Sequence, residues 1–329
     1  MTTADPVTAE RVAPTLSQRG RALVQRFGIA IPFTITFIVL SVISPPFLRS
    51  QNLTNILDQQ AGIIIVACAG SVVLIAGGID LSIGAIYGLA GAIALNTASS
   101  VSSPLGVVAG MGVGLVVGLV NGVVVTRFRI NALIGTLAMS FVVAGIAAIV
   151  TKGNLVVAFD HPDFQQFAAT RILGITSAAW MMIVTPIAAT ITLSRTTFGR
   201  YVYAAGGNSQ AARLGGVRVD AIRVATFALS GTAAGLAGTI DSSRVLSAQV
   251  TSGGQFLTFT VLTGIIVGGT SILGGEGSMQ RTVVGCLFVA LVANGFNLLG
   301  LDPFYQQVTL GVILLLAVGL DAKIGRAHV

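Results

Sequence analysis

Residues 105–126 read LGVVAGMGVGLVVGLVNGVVVT, and this stretch decides the class of fold. It carries no charged side chain, and as a helix it is long enough to cross a hydrocarbon core of about 30 Å. Five glycines recur at every fourth position, namely Gly106, Gly110, Gly114, Gly118 and Gly122. They fall on one helix face, where another backbone can approach closely. The stretch predicts a central, protein-contacting membrane span.

The rest of the chain shares this apolar character. Of the 329 residues 54% are hydrophobic and 9% are charged, against about 25% charged residues in an average soluble domain. Apolar runs predict an all-α fold, a polytopic transmembrane helical bundle of about ten spans. The predicted spans are 28–48, 61–77, 81–97, 105–126, 132–150, 172–193, 222–240, 256–273, 282–299 and 304–320.

The basic residues predict the orientation of these spans. Loops on the cytoplasmic side retain an excess of Lys and Arg. If the N-terminus is cytoplasmic, 14 of the 18 basic residues fall on that side, and only Arg49, Lys152, Arg171 and Arg244 fall on the other. Both termini are therefore expected in the cytoplasm. The net charge of +7 is explained by this bias, so no nucleic-acid partner is expected.

The ends of the chain differ from its apolar body. Residues 1–26 are basic and polar and are expected to form a disordered cytoplasmic tail, whereas residues 27–322 form the transmembrane domain. The last seven residues, 323–329, read KIGRAHV and match one reading frame of a widely used sequencing adapter. This segment is expected to be a non-native tail, so its side chains carry no functional argument.

Motifs for catalysis or metal binding are not found in the sequence. The only lysines are Lys152 and Lys323, and neither completes a GxxxxGK[ST] phosphate loop. His161 and His328 have no nucleophile or metal-ligand spacing beside them. No enzyme, no metal site and no cofactor in this chain is therefore expected. The cysteines Cys68 and Cys286 are expected to be packed in the bundle.

Carboxylates are scarce in the spans. Asp80, Asp241 and Glu276 fall at predicted span ends, where they can reach water or lipid headgroups. Asp80 follows Gly77 and Gly78 and has other interpretations, since it could hold a tight turn or cap the third helix. An ion-coupled carrier would more often contain buried carboxylates, so their scarcity favours an energy source on another chain. Residues 77–84, GGIDLSIG, also resemble residues 268–275, GGTSILGG, which hints at duplicated halves.

The longest cytoplasmic segment is a loop at residues 195–223. Within it Asn208 or Ser209 can cap a short helix whose body runs from Gln210 to Leu214 and which Gly215 ends together with the next glycine. A short capped helix between two spans is typical of a docking element. An ordinary interfacial loop held to lipid headgroups by its arginines is the alternative.

Several segments resemble one family of transport proteins. The loop is similar to the coupling-helix region of permeases from the branched-chain amino acid and monosaccharide group of ABC importers. GGIDLSIG at 77–84, TLAMS at 136–140, GGTS at 268–271 and GGEG at 274–277 are similar to segments of their ribose, xylose and arabinose members. The resemblance covers about residues 35–320.

This resemblance implies the function and the partners. It implies a permease of the bacterial cytoplasmic membrane that moves a sugar or similar polar solute by alternating access. The implied partners are two ABC ATPase subunits, a second permease copy or paralogue, an extracytoplasmic solute-binding protein and membrane lipid. The alternative is a self-sufficient secondary carrier or channel, and requirement of a separate ATPase for uptake would discriminate between them.

Two sets of site residues follow. By the resemblance, the predicted ATPase-coupling residues are Gly207, Asn208, Ser209, Ala211, Ala212, Arg213, Leu214 and Gly216. The polar candidates for the translocation pathway are Asp80, Ser82, Asn121, Asn131, Thr136 and Ser140. Asparagine and serine in spans more often form hydrogen bonds between helices, which is the other interpretation of the second set.

Overall fold

The computed structural model describes residues 28–325, so residues 1–27, which include the predicted tail 1–26, and residues 326–329 lie outside the described part of the chain. Within that part the backbone is almost entirely helical. The helices are α1 (Ala30–Ile43), α2 (Ser50–Ile75), α3 (Ile83–Ser100), α4 (Ser103–Arg127), α5 (Ala132–Thr151), α6 (Pro162–Ala169), α7 (Ser177–Arg195), α8 (Thr197–Gly207), α9 (Ser209–Leu214), α10 (Val219–Val245), α11 (Gly254–Val267), α12 (Met279–Leu298) and α13 (Pro303–Gly325).

Four two-residue strands add a small correction to the all-α expectation. They are β1 (Val156–Val157), β2 (Arg171–Ile172), β3 (Ile175–Thr176) and β4 (Ser247–Ala248), and they pair antiparallel as β1 with β4 and β2 with β3. The first pair ties the loop after α5 to the end of α10. Phe164 of α6 is fully buried, and its carbonyl accepts a hydrogen bond from Ser243 of α10. β1 and α6 are therefore docked on that end of α10.

Each predicted span overlaps one helix. Seven of the described helices, namely α2, α3, α4, α5, α7, α10 and α12, are long and apolar enough to cross a membrane. The other three predicted spans coincide with shorter apolar helices, which are α1, α11 and residues 303–319 of α13. The architecture is thus a polytopic helical bundle.

The largest boundary differences occur at α2 and α11. α2 begins at Ser50, eleven residues before the predicted span, because residues 50–60 are helical but polar. A search for apolar runs detects only the part of a helix that suits hydrocarbon. α11 ends at Val267, before the predicted end at 273, because Gly268 and Gly269 allow the chain to turn there, the latter with φ of +81°.

Close contact between helix backbones forms the centre of the bundle. α4 packs most extensively on α10, and α3 packs on both. A Cβ atom added to Gly114 would overlap the carbonyl oxygen of Gly231, and one added to Gly231 would overlap that of Gly114. All five glycines of the α4 face are buried, and each meets backbone or side-chain atoms of α3 or α10. This face lies against protein, as a central span requires.

Candidate functional site

The connection between α2 and α3 is an irregular segment, residues 76–82, that lies inside the bundle. Gly77 has a φ of +78°, and Ser82 at the end of the segment is fully buried. The Asp80 side chain is only 4% exposed. It therefore does not reach water or headgroups, and of the interpretations above the tight turn is correct.

The Asp80 carboxylate holds this segment together. Its Oδ1 accepts hydrogen bonds from the backbone N–H of Ser82 at 3.0 Å and from the Ser82 hydroxyl at 2.6 Å. Its Oδ2 accepts a hydrogen bond from Ser230 of α10 at 2.8 Å. Asn121 of α4 donates in turn to the Ser82 hydroxyl at 2.8 Å. The carboxylate thus joins the turn to two helices of the packed centre.

Two threonines satisfy further backbone groups of the turn. The hydroxyl of Thr136, on α5, accepts from the backbone N–H of Leu81 at 3.0 Å. The hydroxyl of Thr258, on α11, accepts from the N–H of Gly84 at 3.1 Å. Irregular backbone at membrane depth is stable only where protein or water satisfies its polar groups. Here side chains from α4, α5, α10 and α11 provide that satisfaction.

The structure separates the predicted pathway residues into two groups. Asp80, Ser82, Asn121 and Thr136 come together in this buried network. Asn131 does not, because its side chain accepts from the N–H groups of residues 133 and 134 and caps the start of α5. Ser140 donates to the carbonyl of residue 137 and lines a small apolar cavity of about 110 Å³ beside α11.

A larger and more polar cavity lies elsewhere in the bundle. It measures about 360 Å³ and is walled by α2, α10, α11, α12 and α13, which is within the usual size range of small-molecule sites. Its polar lining residues are Gln59, Gln60, Arg244, Ser252, Thr260, Asn297 and Gln306. Sequence reasoning placed none of these in a site.

Two features of the lining determine which solutes suit it. Gln60 lies in the cavity wall, and its buried Oε1 accepts no hydrogen bond from any described residue. The Arg244 guanidinium is paired with the Asp241 carboxylate at 3.0 Å. The one basic side chain of the lining is thereby neutralised, and the cavity offers mainly amides and hydroxyls. Such groups suit an uncharged, hydroxyl-rich molecule.

The segment between α7 and α10 forms two helices, α8 and α9, where the sequence indicated one. The Asn208 side chain accepts from the N–H of Ala211 at 2.9 Å and caps α9. α9 ends at Gly215, and Gly216 follows with φ of +84°. The predicted capped helix is therefore present, with Asn208 as its cap.

Exposure divides the predicted coupling residues. Leu214 is 92% exposed, and Ala211 is exposed beside it. Ala212 is only 8% exposed and packs with Ala205 and Val219 below the surface, so it offers little contact area to a partner. The other members, Gly207, Asn208, Ser209, Arg213 and Gly216, are exposed or half-buried.

Arg213 forms an ion pair with a neighbouring side chain. Its guanidinium donates two hydrogen bonds to the Asp220 carboxylate, at 2.5 Å and 3.1 Å, and this pairing raises the pKa of Arg213. The pair joins α9 to the beginning of α10.

Comparison with known proteins shows the family. Residues 52–318 match the family described as branched-chain amino acid transport system / permease component. The chain is 36% identical to the ribose import permease protein RbsC of Escherichia coli (strain K12) over 89% of this chain and 92% of that protein. It is 37% identical to the RbsC of Bacillus subtilis (strain 168) over 92% and 94%.

An arabinose permease is similar as well. The L-arabinose ABC transporter permease protein AraH of Azospirillum brasilense is 36% identical over 94% of this chain and 91% of that protein. Among solved structures there is no significant match. The chain therefore belongs to this family of permease components of ABC importers, and it is a transport subunit of the bacterial cytoplasmic membrane and not an enzyme.

Proposed function

We propose that this permease imports a neutral monosaccharide and that the 360 Å³ cavity receives the sugar. The observation that carries the proposal is the lining, where uncharged hydrogen-bonding side chains surround an ion pair that is already neutralised. The ribose and arabinose permeases among its relatives support a pentose or a related sugar.

The same proposal covers energy supply and assembly. Membership of the family implies an ATPase subunit and a solute-binding protein as partners. ATP-driven movement of the ATPases is passed through α8 and α9 and switches the cavity between outward and inward access. A second copy of this permease or a paralogue completes the complex, and lipid surrounds it. The exposed apolar side chains of α1, α5 and α7 suit contact with lipid or with that second copy.

Ten spans with both termini in the cytoplasm complete the proposal. In this orientation the cavity lies in the outer half of the bundle.

Cysteines introduced singly at Ala211 and Gln166, both exposed, are expected to react with a membrane-impermeant maleimide from opposite sides, and only Gln166→Cys reacts in intact cells. The native cysteines are buried and should give little background. Labelling of both variants from the same side would contradict the topology.

The cavity assignment predicts an effect on solute affinity. Gln60→Leu removes the free carbonyl acceptor and is expected to raise the KM for uptake about three- to tenfold, since one hydrogen bond contributes about 0.5–1.5 kcal/mol. Uptake of labelled ribose and arabinose into energised vesicles measures this. Gln51→Leu is the matched control, because Gln51 lies on the same helix, is exposed and donates only to Asn55. An equal KM for uptake in both variants would contradict the assignment of the sugar site to this cavity.

A further inference from the structure

Three chain segments meet at the cytoplasmic side through glycine backbones. They are the turn after α2, the end of α8 and the loop between α11 and α12. We call the glycines of this contact the glycine joint, and its members are Gly77, Gly206, Gly207, Gly274 and Gly275. A Cβ added to Gly274 would lie 2.9 Å from the Cα of Gly77, and one added to Gly275 would lie 2.7 Å from that of Gly207.

Gly206 lies at the centre of this joint. A Cβ on Gly206 would overlap the carbonyl oxygen of Ile75 and lie 2.6 Å from the backbone nitrogen of Gly275. These two groups are hydrogen-bonded to each other, since the N–H of Gly275 donates to the Ile75 carbonyl at 2.9 Å. Gly206, at the end of α8, therefore lies directly over the hydrogen bond that links the end of α2 to the loop after α11.

The ends of α2 and α11 have the same backbone geometry. In the turn after α2 the N–H of Gly77 donates to Leu74 and that of the next residue to Val73. After α11 the N–H of Gly269 donates to Ile266 and that of the next residue to Ile265. Gly77 and Gly269 both have φ near +80°. The two helices thus end in the same way, with Gly77 and Gly269 in equivalent positions, which is a common glycine ending of helices.

The joint contains the end of α2 and the loop between α11 and α12, and these three helices also wall the polar cavity. α2 contributes Gln59 and Gln60, and α11 contributes Phe256 and Thr260. We propose that Gly206 is the contact through which a displacement of α8 is passed at once to the end of α2 and to the loop between α11 and α12. The proposal rests on the function proposed above, in which an ATPase moves α8 and α9.

The contacts around Gly206 suit transmission. They join backbone to backbone, so no side-chain rotamer can absorb a displacement, and close-packed atoms pass strain to their neighbours. Two side chains hold the surrounding loops in place. Tyr203 of α8 donates to the carbonyl of Gly277 at 3.0 Å, and Arg223 of α10 donates to that of Ala76 at 3.3 Å.

The test uses the full chain assembled with its ATPase subunits and its solute-binding protein in proteoliposomes. Gly206→Ala is expected to retain the ATPase and hydrolyse ATP but to lower the sugar moved per ATP at least tenfold. Gly145→Ala is the control, because Gly145 lies on α5, outside the docking segment, and a Cβ there would meet no atom of the described residues within 4 Å. This control variant should move as much sugar per ATP as the unchanged protein. A normal ratio in Gly206→Ala would overturn the proposal.

A milder variant tests the proposal if Gly206→Ala does not reach the membrane. Tyr203→Phe removes only the hydroxyl that donates to Gly277, and it is expected to lower the ratio about threefold, the effect of one weak hydrogen bond. An unchanged ratio would then overturn the proposal. Failure of the proposed function looks different, because the unchanged protein would take up sugar without its ATPase or without ATP.

Discussion

Gly114→Leu is expected to prevent the bundle from assembling, although it makes α4 more hydrophobic. Even the first carbon of a side chain at Gly114 would overlap the Gly231 carbonyl oxygen and lie 3.0 Å from the Cα of Gly235. Overpacking typically costs about 1–3 kcal/mol and occasionally more, and here only rigid backbone could move aside. Stability of native proteins is only about 5–15 kcal/mol. The variant should therefore be depleted from the membrane several-fold or more.

Gly112 offers a control on the same helix. A Cβ added there would meet no atom of the described residues within 4 Å, so Gly112→Leu adds the same apolar surface without a clash. Abundance in the membrane and the melting temperature of the purified protein in detergent compare the two variants. Equal values for both would show that contact between α4 and α10 does not depend on glycine.

Leu214→Asp is expected to release the ATPase. Leu214 is 92% exposed at the end of α9, and an exposed apolar side chain on a docking helix suits an apolar groove on a partner. A buried, unpaired charge costs several kcal/mol, and each 1.4 kcal/mol changes affinity about tenfold. Binding should therefore weaken about a hundredfold or more. Co-purification of the ATPase with the permease measures the effect, and uptake should be lost with it.

Leu173→Asp controls for a charge added at an exposed leucine. Leu173 is 87% exposed in the turn between β2 and β3, with φ of +53°, a conformation that aspartate adopts readily. In the proposed topology it lies on the outer side, away from the ATPase. The Leu173→Asp variant should therefore bind the ATPase normally. Normal binding in Leu214→Asp would leave the α8–α9 segment as an interfacial anchor.

Much of the fold could be predicted because it follows from local patterns. Each predicted span coincides with a helix, and the fourfold glycine spacing of α4 indicated its packed face. Asn131 shows a local pattern that also indicates a helix cap. An asparagine directly before an apolar run is an ordinary helix cap, and the structure uses it as one.

The cavity could not be predicted in this way. Gln60 and Arg244 are separated by most of the chain, and nothing local to either residue indicates that they share a wall. Gln60 also lies just outside the predicted second span, since the polar part of α2 was not recognised as helix. The depth of Asp80 was missed for a related reason. A break between apolar runs resembles a surface loop in sequence, and only its partners on distant helices, such as Ser230, show that it is buried.

The supports of that buried turn constrain how the protein is made. Ribosomes deliver α2 and α3 to the membrane early, yet Ser230 and Thr258, which satisfy Asp80 and the N–H of Gly84, emerge more than a hundred residues later. Until then the turn must keep water or other partners at its polar groups, because unsatisfied groups in lipid cost several kcal/mol each. Chains interrupted before α11 is synthesised are therefore expected to be substrates for membrane quality-control proteases, even though every span of their N-terminal half has already been inserted.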